Sequence, residues 1–229
     1  MKVSIIIPCY NEDKTISLVI NKILSNYTGE KEIIVIDDCS NDKTREILDS
    51  DLKNKIDKII LNDKNYGKGF SIRKGINIAE GDIILIQDAD LEYDPSDYNK
   101  LIKPIEKGVA DVVYGSRFIG SEEKRVLYFW HMLGNKLLTL ISNMLTNLNL
   151  TDMEVCYKAF KSNIIKNIKL KENRFGFEPE ITAKIAKKKI RIYEVGVKYY
   201  GRTYQEGKKI TWRDGFSAIR CIIKYNIFN

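Results

Sequence analysis

Apolar residues gather in the first half of the chain into short, evenly spaced runs. The runs are VSIII (3–7), EIIVID (32–37), KIILN (58–62) and DIILIQ (82–87). Between them the apolar positions recur at helical spacing, as in Ile16, Val19, Ile20, Ile23 and Leu24, and again in Ile72, Ile76 and Ala79. Runs that are apolar on both faces and alternate with helices predict a parallel sheet covered on both sides. ADVVYGS (110–116) is expected to add a fifth strand. The second half reads differently: a long amphipathic helix over 124–147, a short helix in FGFEPEITAKIAKKK, a strand in RIYEVGVKYYGR and an amphipathic helix in TWRDGFSAIRCIIKYNIF. No linker, low-complexity tract or repeat interrupts the chain. One domain is expected over 1–229, with 1–117 forming one half and 118–229 the other.

Ligands of such sheets bind beyond the carboxyl ends of the strands. The residues there are Pro8-Cys9-Tyr10-Asn11-Glu12, Asp37-Asp38, Asn65-Tyr66-Gly67-Lys68-Gly69 and Asp88-Ala89-Asp90. Three of these four groups are rich in acids or amides, which folding alone does not explain. After the fourth run, Asp88, Asp90, Glu92 and Asp94 follow at every second position. Alternation at period two keeps such side chains on one side of an extended segment, so they repel unless a cation lies between them.

Composition narrows the reading. The 229 residues are 44% hydrophobic and 30% charged, the balance of a folded domain. A net charge of +7 favours an anionic partner: nucleotide, phospholipid surface or nucleic acid. The nucleic-acid reading conflicts with acidic strand ends, so no nucleic-acid partner is expected. Cys9, Cys39, Cys156 and Cys221 form no CxxC pair, which argues against zinc and redox motifs and for a reduced, cytoplasmic setting. No signal peptide is expected before VSIII. The most apolar stretch, 126–145, is interrupted by His131, Asn135, Lys136 and Asn143, so no membrane span is expected.

Asp88-Ala89-Asp90 at a strand end suits a hard divalent ion, Mg²⁺ or Mn²⁺, that keeps open positions for phosphates. Asp37 and Asp38 suit ribose hydroxyls or a base edge, or belong to a helix cap near Thr44 supplied by Ser40 or Asn41. NYGKG (65–69) allows close backbone approach to a ligand, or is an ordinary turn before a helix. GxGxxG after the first strand and GxxxxGK[ST] anywhere are lacking, which disfavours dinucleotide and P-loop cradles. Arg117, Lys124, Arg125, Arg202, Lys208 and Lys209 form a late basic set suited to phosphate, or are solvated loop charges. The single histidine, His131, reads as a packed residue, so a Ser-His-Asp set is not expected.

VSIIIPCYNE, IIVIDDCSNDKT, NYGKG and IQDAD, in this order, resemble glycosyltransferase family 2. YGSRF, NLTDMEVCYKAF, RFGFEPEI and YYGRTYQEGKK look like its polyprenyl- or dolichyl-phosphate sugar synthase branch. The resemblance spans nearly the whole chain. It implies an α/β fold of GT-A type, a Rossmann-like, mostly parallel sheet flanked by helices, with C-terminal amphipathic helices. It implies a nucleotide-sugar donor, GDP-mannose or UDP-glucose, held by Pro8, Tyr10, Glu12, Asp37, Asp38, Lys68 and Glu178. Mg²⁺ or Mn²⁺ would lie at Asp88 and Asp90, with Glu92 where the branch often has Gln. Arg117 and Arg125 would contact the acceptor phosphate; Arg202 and Lys208 would close on the donor diphosphate. TDMEVCY departs from the branch's TDxxSGF-like element and leaves the sugar open. QxxRW is missing, which speaks against polysaccharide synthesis.

The implied reaction is metal-dependent, inverting transfer of a hexose to a polyprenyl or dolichyl phosphate at the cytoplasmic membrane face. The protein would be peripheral there, with a separate membrane subunit as a further partner. A phosphate acceptor is already an anion and needs little help from a base; Asp152 would orient a hydroxyl or act as base if the acceptor were an alcohol. Two readings stand beside it: a family 2 transferase acting on a hydroxyl of a glycan, lipid or protein, and a non-catalytic nucleotide- or phospholipid-binding module.

Overall fold

The computed structural model describes residues 1–120, 122–126, 128–203, 205–207 and 212–228. The first half alternates strand and helix: β1 (Val3–Cys9), α1 (Ile16–Asn26), β2 (Lys31–Asp37), α2 (Thr44–Asp49), β3 (Lys58–Leu61), α3 (Lys68–Ile78), β4 (Ile83–Ile86), α4 (Tyr98–Glu106) and β5 (Val112–Ser116). The second half follows with α5 (Phe129–Thr146), β6 (Lys158–Lys161), α6 (Ser162–Ile165), α7 (Phe177–Ala186), β7 (Ile192–Gly196) and α8 (Trp212–Ile227).

The seven strands form one sheet in the order β3-β2-β1-β4-β6-β5-β7. β1 pairs in parallel with β2 and β4, and every residue of β4 is buried. This is the covered parallel sheet that the apolar runs predict. Helix α3 packs on β1 and β2; Gly75 permits the approach, because a Cβ there would lie 2.5 Å from Ile6 Cγ2. α4 packs on β5 and β6, while α5, α7 and α8 pack against one another.

The fifth run joins the sheet as expected, but not beside β4. β6 lies between them, antiparallel to both. The two halves of the chain are thus interlocked, with β6 and β7 of the second paired to β4 and β5 of the first.

Two local expectations change. The long helix begins at Phe129, not 124, because residues 123–125 are extended along Tyr199: Arg125 N donates to Tyr199 O at 2.8 Å, and Tyr199 N to Glu123 O at 3.1 Å. Lys124 and Arg125 therefore precede the helix. At α2 the amide of Thr44 is accepted by Asp42 Oδ1 at 2.9 Å, whereas Ser40 Oγ accepts the amide of Asn11 and Asn41 donates its own to Asn11 Oδ1. Among the described residues no helix is long and apolar enough to cross a membrane.

Candidate active site

The loops at the carboxyl ends of β1, β2 and β4 face one large cavity of about 1370 Å³. Each loop holds a non-glycine residue in left-handed backbone: Asn11 (φ 51°), Cys39 (φ 65°) and Leu91 (φ 63°). Asn tolerates this geometry, but for Leu91 it costs about 1–2 kcal/mol. Strain that the surrounding structure sustains at one rim is a mark of a site, and Leu91 sets the relative aim of Asp90 and Glu92.

At the end of β2 the two aspartates are satisfied from within. Asp37 is wholly buried, takes Arg45 Nε at 2.6 Å and accepts the amide of Ser40 at 3.1 Å. Asp38 Oδ1 accepts Asn62 Nδ2 at 2.8 Å and Tyr66 N at 3.0 Å, while its Oδ2 accepts Gly67 N at 2.6 Å. Gly67 has φ 103°, and a Cβ there would lie 2.5 Å from Asn173 O, so this turn requires glycine. Asp37 therefore does not face the cavity as a donor contact would; it fastens Arg45 and the 38–40 loop. Asp38 reaches the cavity wall and shapes the loop that delivers Lys68, beside Pro8 and Tyr10.

At the end of β4 carboxylates outnumber their cations. Lys68 Nζ lies 2.8 Å from Asp88 and 3.4 Å from Glu178. Against the cost of burial, Lys68 holds the Asp88 carboxyl below its ordinary range, helped by a hydrogen bond from Cys156. Asp90 meets Arg202 Nη2 at 2.7 Å, and the same guanidinium reaches Glu12 at 3.3 Å and Glu92 at 3.5 Å. Burial and the charges of Asp88 and Glu92 nevertheless push Asp90 up to about 8. One arginine serves three carboxylates.

Arg202 is brought there by an extended strap. Tyr200 N donates to Glu92 O at 2.8 Å, Tyr199 Oη to Glu92 Oε2 at 3.0 Å, and Arg202 N to Glu92 Oε1 at 2.9 Å. Both oxygens of Glu92 are thus engaged in holding the strap. Glu92 is an anchor for Tyr199 and Arg202 here, not a third carboxylate turned toward Asp88 and Asp90.

Asp88 and Asp90 offer the hard oxygen donors that Mg²⁺ or Mn²⁺ takes, and the excess of negative charge at Asp90 is what such an ion would relieve. Among the described residues no group of three acidic, histidine or cysteine side chains is placed to hold a metal. The arrangement fits an ion shared between two carboxylates and the phosphates of a ligand, not an all-protein cage.

Asp152 and Arg117 come together as a closed pair. Arg117 Nε and Nη2 donate to the two oxygens of Asp152 at 2.6 and 2.7 Å, Arg117 N adds a third bond at 3.0 Å, and Asp152 is fully buried. A carboxylate saturated by a guanidinium fork is neither a ready base nor open to a sugar hydroxyl. Arg117 still lines the cavity, 5.2 Å from the Tyr199 ring centre. Arg125 Nη1 pairs with Glu206 at 2.7 Å and donates to Gly201 O at 3.2 Å, at the outer rim. Lys208 lies outside the described residues.

The inner wall holds a residue that the motif reading passes over. Glu154 lines the cavity with Glu178, and Glu154 Oε1 and Glu178 Oε2 are buried without a hydrogen-bond partner among the described residues. Burial, with the charge of Glu178, pushes Glu154 up to about 8. Close by, Lys158 is buried over the Tyr114 ring and bonded to Val155 O, and burial lowers its affinity for a proton. The available signal was one acid in MEVCYKAF, where Met153, Val155, Tyr157 and Phe160 are all core.

The chain is 30% identical over 213 residues to an undecaprenyl-phosphate 4-deoxy-4-formamido-L-arabinose transferase of Photorhabdus laumondii, covering 90% of this chain and 62% of that protein. It is 29% identical to a dolichol-phosphate mannosyltransferase of Pyrococcus furiosus, covering 92% of this chain and 61% of that one. The chain thus spans about three fifths of the length of these relatives. Glucosyl-3-phosphoglycerate synthase of Mycobacterium tuberculosis, solved with Mn²⁺, UDP and glucosyl-3-phosphoglycerate, superposes with a TM-score of 0.76 at 17% identity, over 98% of this chain and 80% of that one, and shares the fold. The model of glycosyl transferase family 2 matches residues 4–169, and the chain belongs to that family.

Proposed function

We propose that the chain is an inverting sugar transferase that passes a hexose from a nucleotide sugar to a polyprenyl or dolichyl phosphate at a membrane surface. The observation that carries this reading is the two-ended character of the cavity. One end is the Asp88/Asp90 mouth with Lys68 and Arg202; the other runs to Val126, Phe129 and Trp130, which are 91%, 59% and 76% exposed. An acceptor with an anionic head and an apolar tail matches both ends. The names of the relatives from Photorhabdus laumondii and Pyrococcus furiosus support the same acceptor class.

In this reading the donor's base lies toward Pro8, Tyr10 and Asp38 and its diphosphate at Asp88, Asp90 and Arg202. A divalent ion bound there supplies Lewis acidity toward the leaving diphosphate. The acceptor phosphate oxygen forms its bond to the anomeric carbon as the bond to the diphosphate breaks, and the electron pair leaves with the nucleoside diphosphate. Arg202 is placed to receive that charge. Attack opposite the leaving group inverts the anomeric centre. No proton need be removed from an acceptor already ionised, which suits a site where Asp152 is closed by Arg117.

Radiolabelled nucleotide sugars tested with short polyprenyl phosphates, with and without Mn²⁺, check the reading. Transfer to polyprenyl phosphate that Mn²⁺ stimulates is expected. Transfer to hydroxyl acceptors only, or to none, would overturn it. Flotation with anionic liposomes at low salt, reversed at high salt, is the expected companion result for a peripheral enzyme.

A further inference from the structure

We propose that Gln87 is a positioning residue for the Asp88/Asp90 mouth, aiming both carboxylates by holding the backbone carbonyl of Asp88. This deepens the proposed function and rests on its reading of that mouth as the place of the divalent ion. Gln87 belongs to the IQDAD run, but its side chain is wholly buried and does not line the cavity. Its Oε1 accepts Tyr98 Oη at 2.7 Å and Tyr157 Oη at 2.6 Å, and its Nε2 donates to Asp88 O at 2.8 Å.

Only one orientation of the amide serves all three partners. A backbone carbonyl can only accept, so the nitrogen must face Asp88 and the oxygen is left for the two hydroxyls. Both tyrosines are themselves fully buried and come from different elements: Tyr98 opens α4, and Tyr157 immediately precedes β6. The side chain is thus clamped, because turning it would orphan buried hydroxyls. An apolar residue of similar volume would fill the space yet leave Asp88 O and both hydroxyls unmet. Packing alone does not call for glutamine here.

The clamp acts where the sheet lets go of the chain. Gln87 N still bonds to β1, donating to Ile6 O at 3.0 Å, one residue past the end of β4. The next carbonyl, that of Asp88, turns to a side chain instead of a strand. Fixing it fixes the plane of the peptide between Asp88 and Ala89, and with it the path toward Asp90. Further on, Leu91 holds a left-handed backbone that its neighbours must sustain. Two carboxylates that share one ion need their aim before the ion arrives, since a site left loose forfeits affinity.

The test measures binding of UDP and GDP by calorimetry, with and without Mn²⁺. It compares wild type, Gln87→Met and the triple variant Gln87→Met/Tyr98→Phe/Tyr157→Phe. Gln87→Met orphans two hydroxyls and should melt lower than wild type; the triple variant removes those hydroxyls and should recover much of the loss. Mn²⁺ is expected to strengthen nucleotide binding to wild type, and that strengthening should fall about tenfold or more in both variants. Binding without Mn²⁺ should stay at the wild-type level, which also reports that each variant is folded. If the triple variant keeps the full Mn²⁺ effect, Gln87 serves only its tyrosines, and the assignment is wrong while the proposed function stands. Equal loss of binding with and without Mn²⁺ would show a loosened cavity instead of a lost aim, and would overturn the assignment as well. If Mn²⁺ does not strengthen nucleotide binding to wild type, the metal-dependent reading of the site falls and takes this assignment with it.

Discussion

The carboxylates that end β2 and those that end β4 look alike in the sequence and live differently in the structure. Asp37 and Asp38 each meet groups of the protein that match their need, chiefly Arg45, Asn62 and the amides of Ser40, Tyr66 and Gly67. Asp90, Glu12 and Glu92 share a single guanidinium, and Asp88 shares Lys68 with Glu178. The first group stabilises a loop; the second stores unbalanced charge where a ligand can use it. Exposure alone does not separate them, since Asp38 also touches the cavity. Counting partners separates Asp38, which accepts three hydrogen bonds from Asn62, Tyr66 and Gly67, from Asp90, which meets only Arg202 and the amide of Glu92 among the described residues.

The contrast is broken most directly at Asp90. Asp90→Ala is expected to lower turnover by about 10²-fold or more while leaving the melting temperature unchanged or raised, because it removes a carboxylate crowded by others. Full turnover in that variant would place Asp90 with the structural group. Asp37→Ala should do the reverse. With Arg45 and the amide of Ser40 deprived of their acceptor, unfolding free energy should fall by about 2–3 kcal/mol, measured in urea, with near-normal donor binding below the transition. Weakened donor binding at unchanged stability would move Asp37 into the ligand site.

A smaller effect sharpens the same comparison at Glu172, a third satisfied carboxylate. Burial opposes its ionisation, but hydrogen bonds from Arg220, Lys224 and Tyr225 prevail and hold it at about 2, tying α8 to the 172–176 loop. Its folded value is below the unfolded one of 4.5, so its contribution is complete above pH 4.5 and fades as pH falls toward 2. Across that window the melting temperature of wild type should drop more steeply than that of Glu172→Gln. Parallel curves would show that the clasp contributes nothing.

Much of the sheet was readable because β1, β2 and β4 are apolar on both faces, a pattern few other elements share. β6 was not, since a four-residue strand bearing a buried lysine, Lys158, matches no simple period. The start of α5 was misplaced because the charged residues just before the apolar stretch, which suit a solvated first turn, are extended along Tyr199 instead. In the site, Asp88, Asp90, Lys68 and Arg202 were legible from their positions at strand ends and in ordered motifs. Asp37 could not be told from Asp38, because what separates them is Arg45, eight residues on, and Asn62, just past the end of β3. Glu154 was hidden for a similar reason: its significance is the partner it lacks, which no local pattern records.

The insertion of β6 between β4 and β5 also bears on how the chain comes off the ribosome. The strands β1, β2, β3 and β4 can pair as soon as they are made, yet one edge of β4, its four apolar residues Ile83–Ile86, stays bare until residues 158–161 have been synthesised. A bare apolar edge is a template for pairing with other chains, and contacts this distant in sequence form late. Translation that stalls or stops in the seventy residues before β6 would therefore release a sticky half-sheet rather than an inert fragment, so premature stops there should yield aggregated product, and shielding of β4 during synthesis should raise the yield of folded protein.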